Sequence, residues 1–125
     1  MVLYEHYSQI HPSKWVWRSF SPKEISCKGD GSILLNNDAM ESLQLLRDII
    51  GRPIIINSAY RSPLHNARVG GSPMSRHKNG DAFDISLQGF SKEEIHKAAL
   101  AAGFRGFGLS YNTFIHIDKG ASRTW

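Results

Sequence analysis

The sequence predicts an α+β domain, a small antiparallel sheet flanked by helices. Three observations predict it. Ser21-Pro22-Lys23-Glu24 and Ser91-Lys92-Glu93-Glu94 each pair a capping serine with a glutamate three residues on, a helix-start signal. Ala82 to Leu87 and Phe114 to Asp118 alternate small or polar residues with large apolar ones, the period of a half-buried strand. These patterns interleave along a single chain of 125 residues, 41% hydrophobic, which is enough for one core.

Proline after Ser21 sits where a helix tolerates it best, so a short helix starts there and ends near Gly29. A second helix is expected from about Asn37 to Ile50, where Met40, Leu43, Leu46 and Ile50 recur near helical spacing and Gly51 stops it. Pro53 to Asn57 is a β-rich run, continuous enough for a buried strand. A loop from Tyr60 to Asn79 follows; loops that long carry function or disorder. The helix opened by Ser91 directs Ile95, Ala98, Ala99 and Ala102 inward and stops at Gly103. Phe107-Gly108-Leu109, a turn over Ser110 to Thr113, and the strand from Phe114 form a hairpin. No linker, repeat or low-complexity tract divides the chain. One domain over residues 1–125 is expected, with residues 1–19 as an extension packed on it.

Composition narrows the classes of function. Net charge is +4, with arginines and lysines scattered. No basic run interleaved with aromatics appears, which argues against nucleic acid, while a basic surface also suits anionic wall polymers. The start, Met1 to Tyr7, lacks a basic segment followed by an apolar core, so synthesis in the cytoplasm without a signal peptide is expected. No apolar run approaches membrane-spanning length. Cys27 is the single cysteine and reads as a packed structural thiol. A monomer is expected.

The chemistry concentrates in Ser75-Arg76-His77-Lys78-Asn79-Gly80-Asp81-Ala82-Phe83-Asp84 and Phe114-Ile115-His116-Ile117-Asp118. If the two strands are neighbours, Asp84 and His116 share one sheet face, and His77 reaches the same point from the preceding turn. Gly80 lets the backbone pass close by. Two imidazoles and a carboxylate suit a divalent ion such as zinc, and three protein ligands leave a position for water, as in hydrolytic sites. By residue type alone, a surface His–Asp pair fits as well.

Ser75-x-His77-x-x-Gly80-x-Ala82-x-Asp84 with the later His116 resembles the D-alanyl-D-alanine carboxypeptidase and dipeptidase family of zinc peptidases. That family's metal site is similar to the one in hedgehog signalling domains. Ser58-Ala59-Tyr60-Arg61-Ser62-Pro63 resembles its segment carrying a substrate-binding arginine, and Asn66 and Val69-Gly70-Gly71 fit the sequel. The nearest subgroup is the small single-domain peptidases common in bacteriophages. These often open like Phe20 to Glu24 and end like Phe114 to Asp118. The similarity runs from about Phe20 to the C-terminus.

The resemblance implies one Zn2+ per chain held by His77, Asp84 and His116, with Arg61 and Ser75 contacting substrate. It implies bacterial peptidoglycan as partner, cut in a stem peptide or cross-link next to a D-amino acid. The context it implies is a phage endolysin, or a virion or gene-transfer wall hydrolase, acting after release or within a particle. The sequence departs from the family at the general base. Many members place Glu or Asp three residues before the last metal His, where this chain has Thr113; hedgehog-like sites place His two before, where it has Phe114. Asp118 is then the candidate either to perform proton transfer or to orient His116. His65, Asp81 and His96 are lesser candidates, expected at the surface. The alternative is an inactive zinc-stabilised wall-binding or protein-binding module; a metal-free structural or nucleic-acid protein is the third reading.

Overall fold

The computed structural model describes residues 1–125. Strand β1 (Val2–Tyr4) pairs antiparallel with β2 (Ile33–Leu35) as a separate two-stranded sheet. Between them lies α1 (Pro22–Ile25), with Ser21 and Glu24 forming the reciprocal cap that the sequence predicts. It ends four residues before Gly29. Ser26 is already extended, and the Cys27 N–H donates to Ser32 O at 2.7 Å, closing a tight turn instead of another helical turn.

Helix α2 spans Asn37–Ile50 as its periodicity requires, with Asn36 capping one end and Gly51, at φ +73°, the other. The strand expected at Pro53 to Asn57 is displaced to β3 (Ile56–Ser58). It lies at the sheet edge with an irregular register, and Ile54 and Ile56 are buried while Ile55 is 51% exposed. An edge strand packs one face only, so the apolar run alternates after all.

The long loop expected from Tyr60 to Asn79 contains two capped turns of structure. Helix α3 (Pro63–Arg68) starts at Ser62-Pro63, and a 3-10 turn over Arg76–Asn79 starts at Ser75. Strand β4 (Ala82–Ser86) follows, then α4 (Lys92–Ala101), β5 (Gly106–Gly108), β6 (Phe114–Asp118) and the two-residue β7 (Arg123–Thr124). Strand order is β3-β4-β6-β5-β7, antiparallel except for β7, which runs parallel to β5.

Phe83, Ile85, Ile115 and Ile117 join Leu43, Leu46 and Ile95 in one core. Ile95, Ala98, Ala99 and Ala102 are buried, as the α4 pattern predicts. Ile10 and Trp17 of the N-terminal segment belong to the same cluster. Strand period puts Asp84, His116 and Asp118 on the face opposite this core. That face is buried too, so β4 and β6 are central strands rather than half-exposed ones. No helix is long and apolar enough to cross a membrane.

Candidate metal centre

Register delivers the first two side chains. Asp84 on β4 stands opposite His116 on β6, and Asp84 Oδ1 lies 3.1 Å from His116 Nδ1. His77 comes from the 3-10 turn before β4, with its Nε2 also 3.1 Å from Asp84 Oδ1. Ser75 Oγ caps that turn by accepting from the His77 N–H at 3.2 Å. Gly80 ends the turn at φ +70°; a Cβ there would lie 2.7 Å from the Leu34 carbonyl oxygen, so glycine is required on both counts.

One potential ligand atom from each of His77, Asp84 and His116 falls within 4.8 Å of the others, and all three residues are buried. The far ring nitrogens are committed. His77 Nδ1 donates to the Ala59 carbonyl at 2.7 Å, and His116 Nε2 donates to Asp118 Oδ2 at 2.8 Å. Both partners can only accept, so each ring must carry its proton on that side. His77 Nε2 and His116 Nδ1 therefore turn lone pairs toward the Asp84 carboxylate. Three acceptors facing one another need positive charge between them, either protons or a cation. Two imidazole nitrogens and a carboxylate oxygen, each oriented by an outer partner, are a donor set that fits a zinc-like divalent ion.

The electrostatics record the same convergence. With protons rather than a cation between the three groups, burial pushes the Asp84 carboxyl up, but hydrogen bonds from His116 and His77 outweigh it and hold it at about 2. Burial pushes His116 down, yet its hydrogen bonds to Asp118 and Asp84 leave it raised. Asp118, burial notwithstanding, is lowered by His116, Arg123 and the Gly120 N–H.

The centre opens onto a cleft of about 510 Å³, which Arg61 and Ser75 also line. Arg61 spreads its guanidinium over Ser58 Oγ at 3.2 Å, Asn66 Oδ1 at 3.2 Å and Asp84 Oδ2 at 3.4 Å. Asn66, itself buried, donates to the Ser72 carbonyl at 2.8 Å and so ties the cleft loop to Arg61.

Asp118 does not line the cleft. It is fully buried on the side of the His116 ring away from Asp84, gripped by Arg123 through both its carboxylate oxygens at 2.9 and 2.8 Å. That position orients His116 and presents no oxygen to a substrate. Of the lesser candidates, Asp81 is buried rather than at the surface and pairs with Arg76. His96 packs on Phe107 with ring centroids 4.4 Å apart. His65, on α3, sits against Gly29. None of the three joins the cluster. Thr113 is exposed and outside the cleft lining.

Sequence reasoning missed Arg76, Tyr111, Phe114, Arg123 and Trp125, all in the cleft wall. Arg76 stood inside the motif and could have been found there. Arg123 and Trp125 arrive through β7, whose two residues carry no periodic signal.

Comparison with known proteins adds the family. Residues 18–118 match the family described as Peptidase M15. The chain is 33% identical over 95 residues to the peptidoglycan L,D-endopeptidase MepK of Escherichia coli K12, covering 68% of this chain and 51% of that protein. It is 34% identical over 98 residues to the zinc D-Ala-D-Ala carboxypeptidase of Streptomyces albus G, covering 69% of this chain and 36% of that one. The chain thus spans about half the length, or less, of these curated relatives. With the match running through most of the sequence and both site segments, the chain belongs to the Peptidase M15 family.

Proposed function

We propose that the chain is a zinc-dependent peptidase that hydrolyses a stem-peptide or cross-link bond of bacterial peptidoglycan next to a D-amino acid. The observation that carries the reading is the convergence of three oriented acceptors, His77 Nε2, Asp84 Oδ1 and His116 Nδ1, at an open cleft. The two relatives, one named for peptidoglycan and one for a zinc-dependent D-Ala-D-Ala cleavage, supply the substrate class.

In this reading His77, Asp84 and His116 hold one zinc ion. When bound, zinc polarises a carbonyl and makes a water nucleophilic near neutral pH. The remaining work falls to the chain's own groups. Ala59 O and Asp118 fix the two imidazoles in the tautomers that a cation needs. Arg61, locked by Ser58 and Asn66, presents a planar fork suited to a peptide carboxylate or carbonyl. Ser75 holds the turn that carries His77 and faces the same cleft, where its hydroxyl meets substrate.

The biological setting we favour is a phage endolysin, or a virion or gene-transfer wall hydrolase, working as a monomer. Its support is the phage-type pattern at Phe20 to Glu24 and Phe114 to Asp118 and a net charge of +4, which favours an anionic wall. A second reading has one observation in its favour: the exposed Thr113 supplies no acid where many relatives carry one. That reading is a zinc-stabilised wall-binding module without turnover.

Elemental analysis, combined with turbidity loss of purified walls with and without chelator, separates the two. The peptidase reading expects about one zinc per chain and chelator-sensitive lysis, with mass spectrometry of the fragments identifying the bond. Zinc with wall binding but no lysis would establish the binding module. No zinc after refolding with excess metal would overturn both.

A further inference from the structure

Beside three arginines, each tied to an aspartate, the cleft offers few groups able to assist charge development on a substrate. Its one lining carboxylate is Asp84, and Asp118 lies behind His116. Apart from the His77–Asp84–His116 cluster and three arginines, Tyr111 is the single titratable side chain that lines it. Tyr111 lies in the turn between β5 and β6, two residues before the exposed Thr113.

This tyrosine is held in place. Its ring stacks on Phe114 at 4.4 Å with an interplanar angle of 16°. Trp125 Nε1 lies 3.1 Å from the Tyr111 hydroxyl oxygen. An indole nitrogen only donates, so the phenol accepts there and keeps its own hydrogen for another partner. Accepting one hydrogen bond also strengthens the one it gives. Gly108 makes the arrangement possible: a Cβ there would come within 2.8 Å of Tyr111 Cε2, 3.0 Å of His116 Cβ and 3.0 Å of Trp125 Cε2. The missing side chain lets both aromatic rings close against the strand that carries His116.

We propose that Tyr111 is a catalytic residue whose hydroxyl donates a hydrogen bond to the scissile carbonyl oxygen as negative charge develops on it. This assignment rests on the peptidase reading above. The proton stays on the phenol throughout; the tyrosine contributes a fixed dipole, which is most effective in a site built in advance of the reaction. Arg61, whose own hydrogen bonds run to Ser58, Asn66 and Asp84, is then free to bind a carboxylate of the peptide.

The test uses the zinc-loaded full chain, peptidoglycan stem-peptide fragments, and a phosphinate analogue of the bond that is cut. Tyr111→Phe preserves the stacking on Phe114 and removes the hydroxyl alone. The assignment expects kcat to fall on the order of 10²-fold, with KM and zinc content little changed. It also expects the phosphinate, which mimics the tetrahedral state, to bind more weakly by calorimetry, while the uncleaved amide's affinity holds. Trp125→Phe, which removes the donor to the hydroxyl together with part of the ring that packs on His116 and Arg123, should also lower kcat. Undiminished kcat in Tyr111→Phe, or a loss confined to KM, would overturn the assignment and leave the peptidase reading standing. A wild-type chain that loads zinc yet turns over no stem peptide would overturn both.

Discussion

Asp84 and His116 face each other across the β4–β6 ladder, with Oδ1 3.1 Å from Nδ1. Their separation is fixed by strand pairing, not by loop conformation. Both strands are central in the sheet and backed by the core that holds Phe83, Ile85, Ile115 and Ile117. Only His77 depends on a turn, and that turn is capped at both ends, by Ser75 and Gly80.

Asp118→Asn should weaken zinc binding about 10- to 100-fold, the usual effect of losing an outer partner of a metal-binding histidine. The amide can present its NH2 to His116 Nε2 and so favour the wrong tautomer. It also removes the buried negative charge that pairs with Arg123 and one of the two oxygens that accept from it. Competition with a coloured chelator measures the affinity; an unchanged value would mean that His116 is oriented by its strand alone.

Zinc affinity should fall as pH falls. His116 has its pKa raised above 6.5 by Asp118 and Asp84, so protons compete for Nδ1 throughout the range below that raised value. Asp84, held at about 2, stays ionised and adds no competition above that range. Below the His116 pKa the affinity should drop about tenfold per pH unit for each proton displaced. Titrating zinc into the chain from pH 5 to 8 gives the slope, and a flat profile would refute the prediction.

Arg61→Lys keeps the charge and loses the fork. One ammonium cannot engage Ser58, Asn66 and Asp84 in the same geometry and still face a substrate. Activity should fall tenfold or more with zinc content unchanged, a loss of about 1.4 kcal/mol of transition-state binding. Activity equal to wild type would show that only the charge matters.

Gly80→Ala should destabilise the protein by about 2 kcal/mol or more. The new methyl group meets strained backbone at φ +70° and the Leu34 carbonyl oxygen at 2.7 Å. Because the 3-10 turn carries His77, zinc content should drop alongside the melting temperature. Gly51→Ala, at φ +73° but with open space around it, should cost stability without affecting zinc.

What the sequence made legible was local and periodic. The two-residue period of Ala82 to Ser86 and Phe114 to Asp118 put Asp84 and His116 on one face, and cap chemistry located α2 and α4. What it hid was set by tertiary partners. The surface expectation for Asp81 fails because Arg76, five residues earlier, folds back to neutralise it in a buried position. The run Pro53 to Asn57 looked buried on both faces because nothing in its composition marks β3 as an edge. Strand β7 is two residues long and forms only because β5 offers it a parallel partner, so its delivery of Arg123 and Trp125 to the cleft had no local signature.

Each arginine in the cleft wall is tethered to a buried aspartate: Arg61 to Asp84, Arg76 to Asp81 and Arg123 to Asp118. Freezing a long cationic side chain at a binding surface ordinarily costs about 0.5–1.5 kcal/mol of rotamer entropy. Here that ordering accompanies folding, because the aspartates beneath already select one rotamer for each guanidinium. A peptide entering the cleft meets a rigid cationic frame, and the disorder lost on binding is its own. Short, constrained peptides should therefore bind disproportionately well, and flexible ones should gain little from their length.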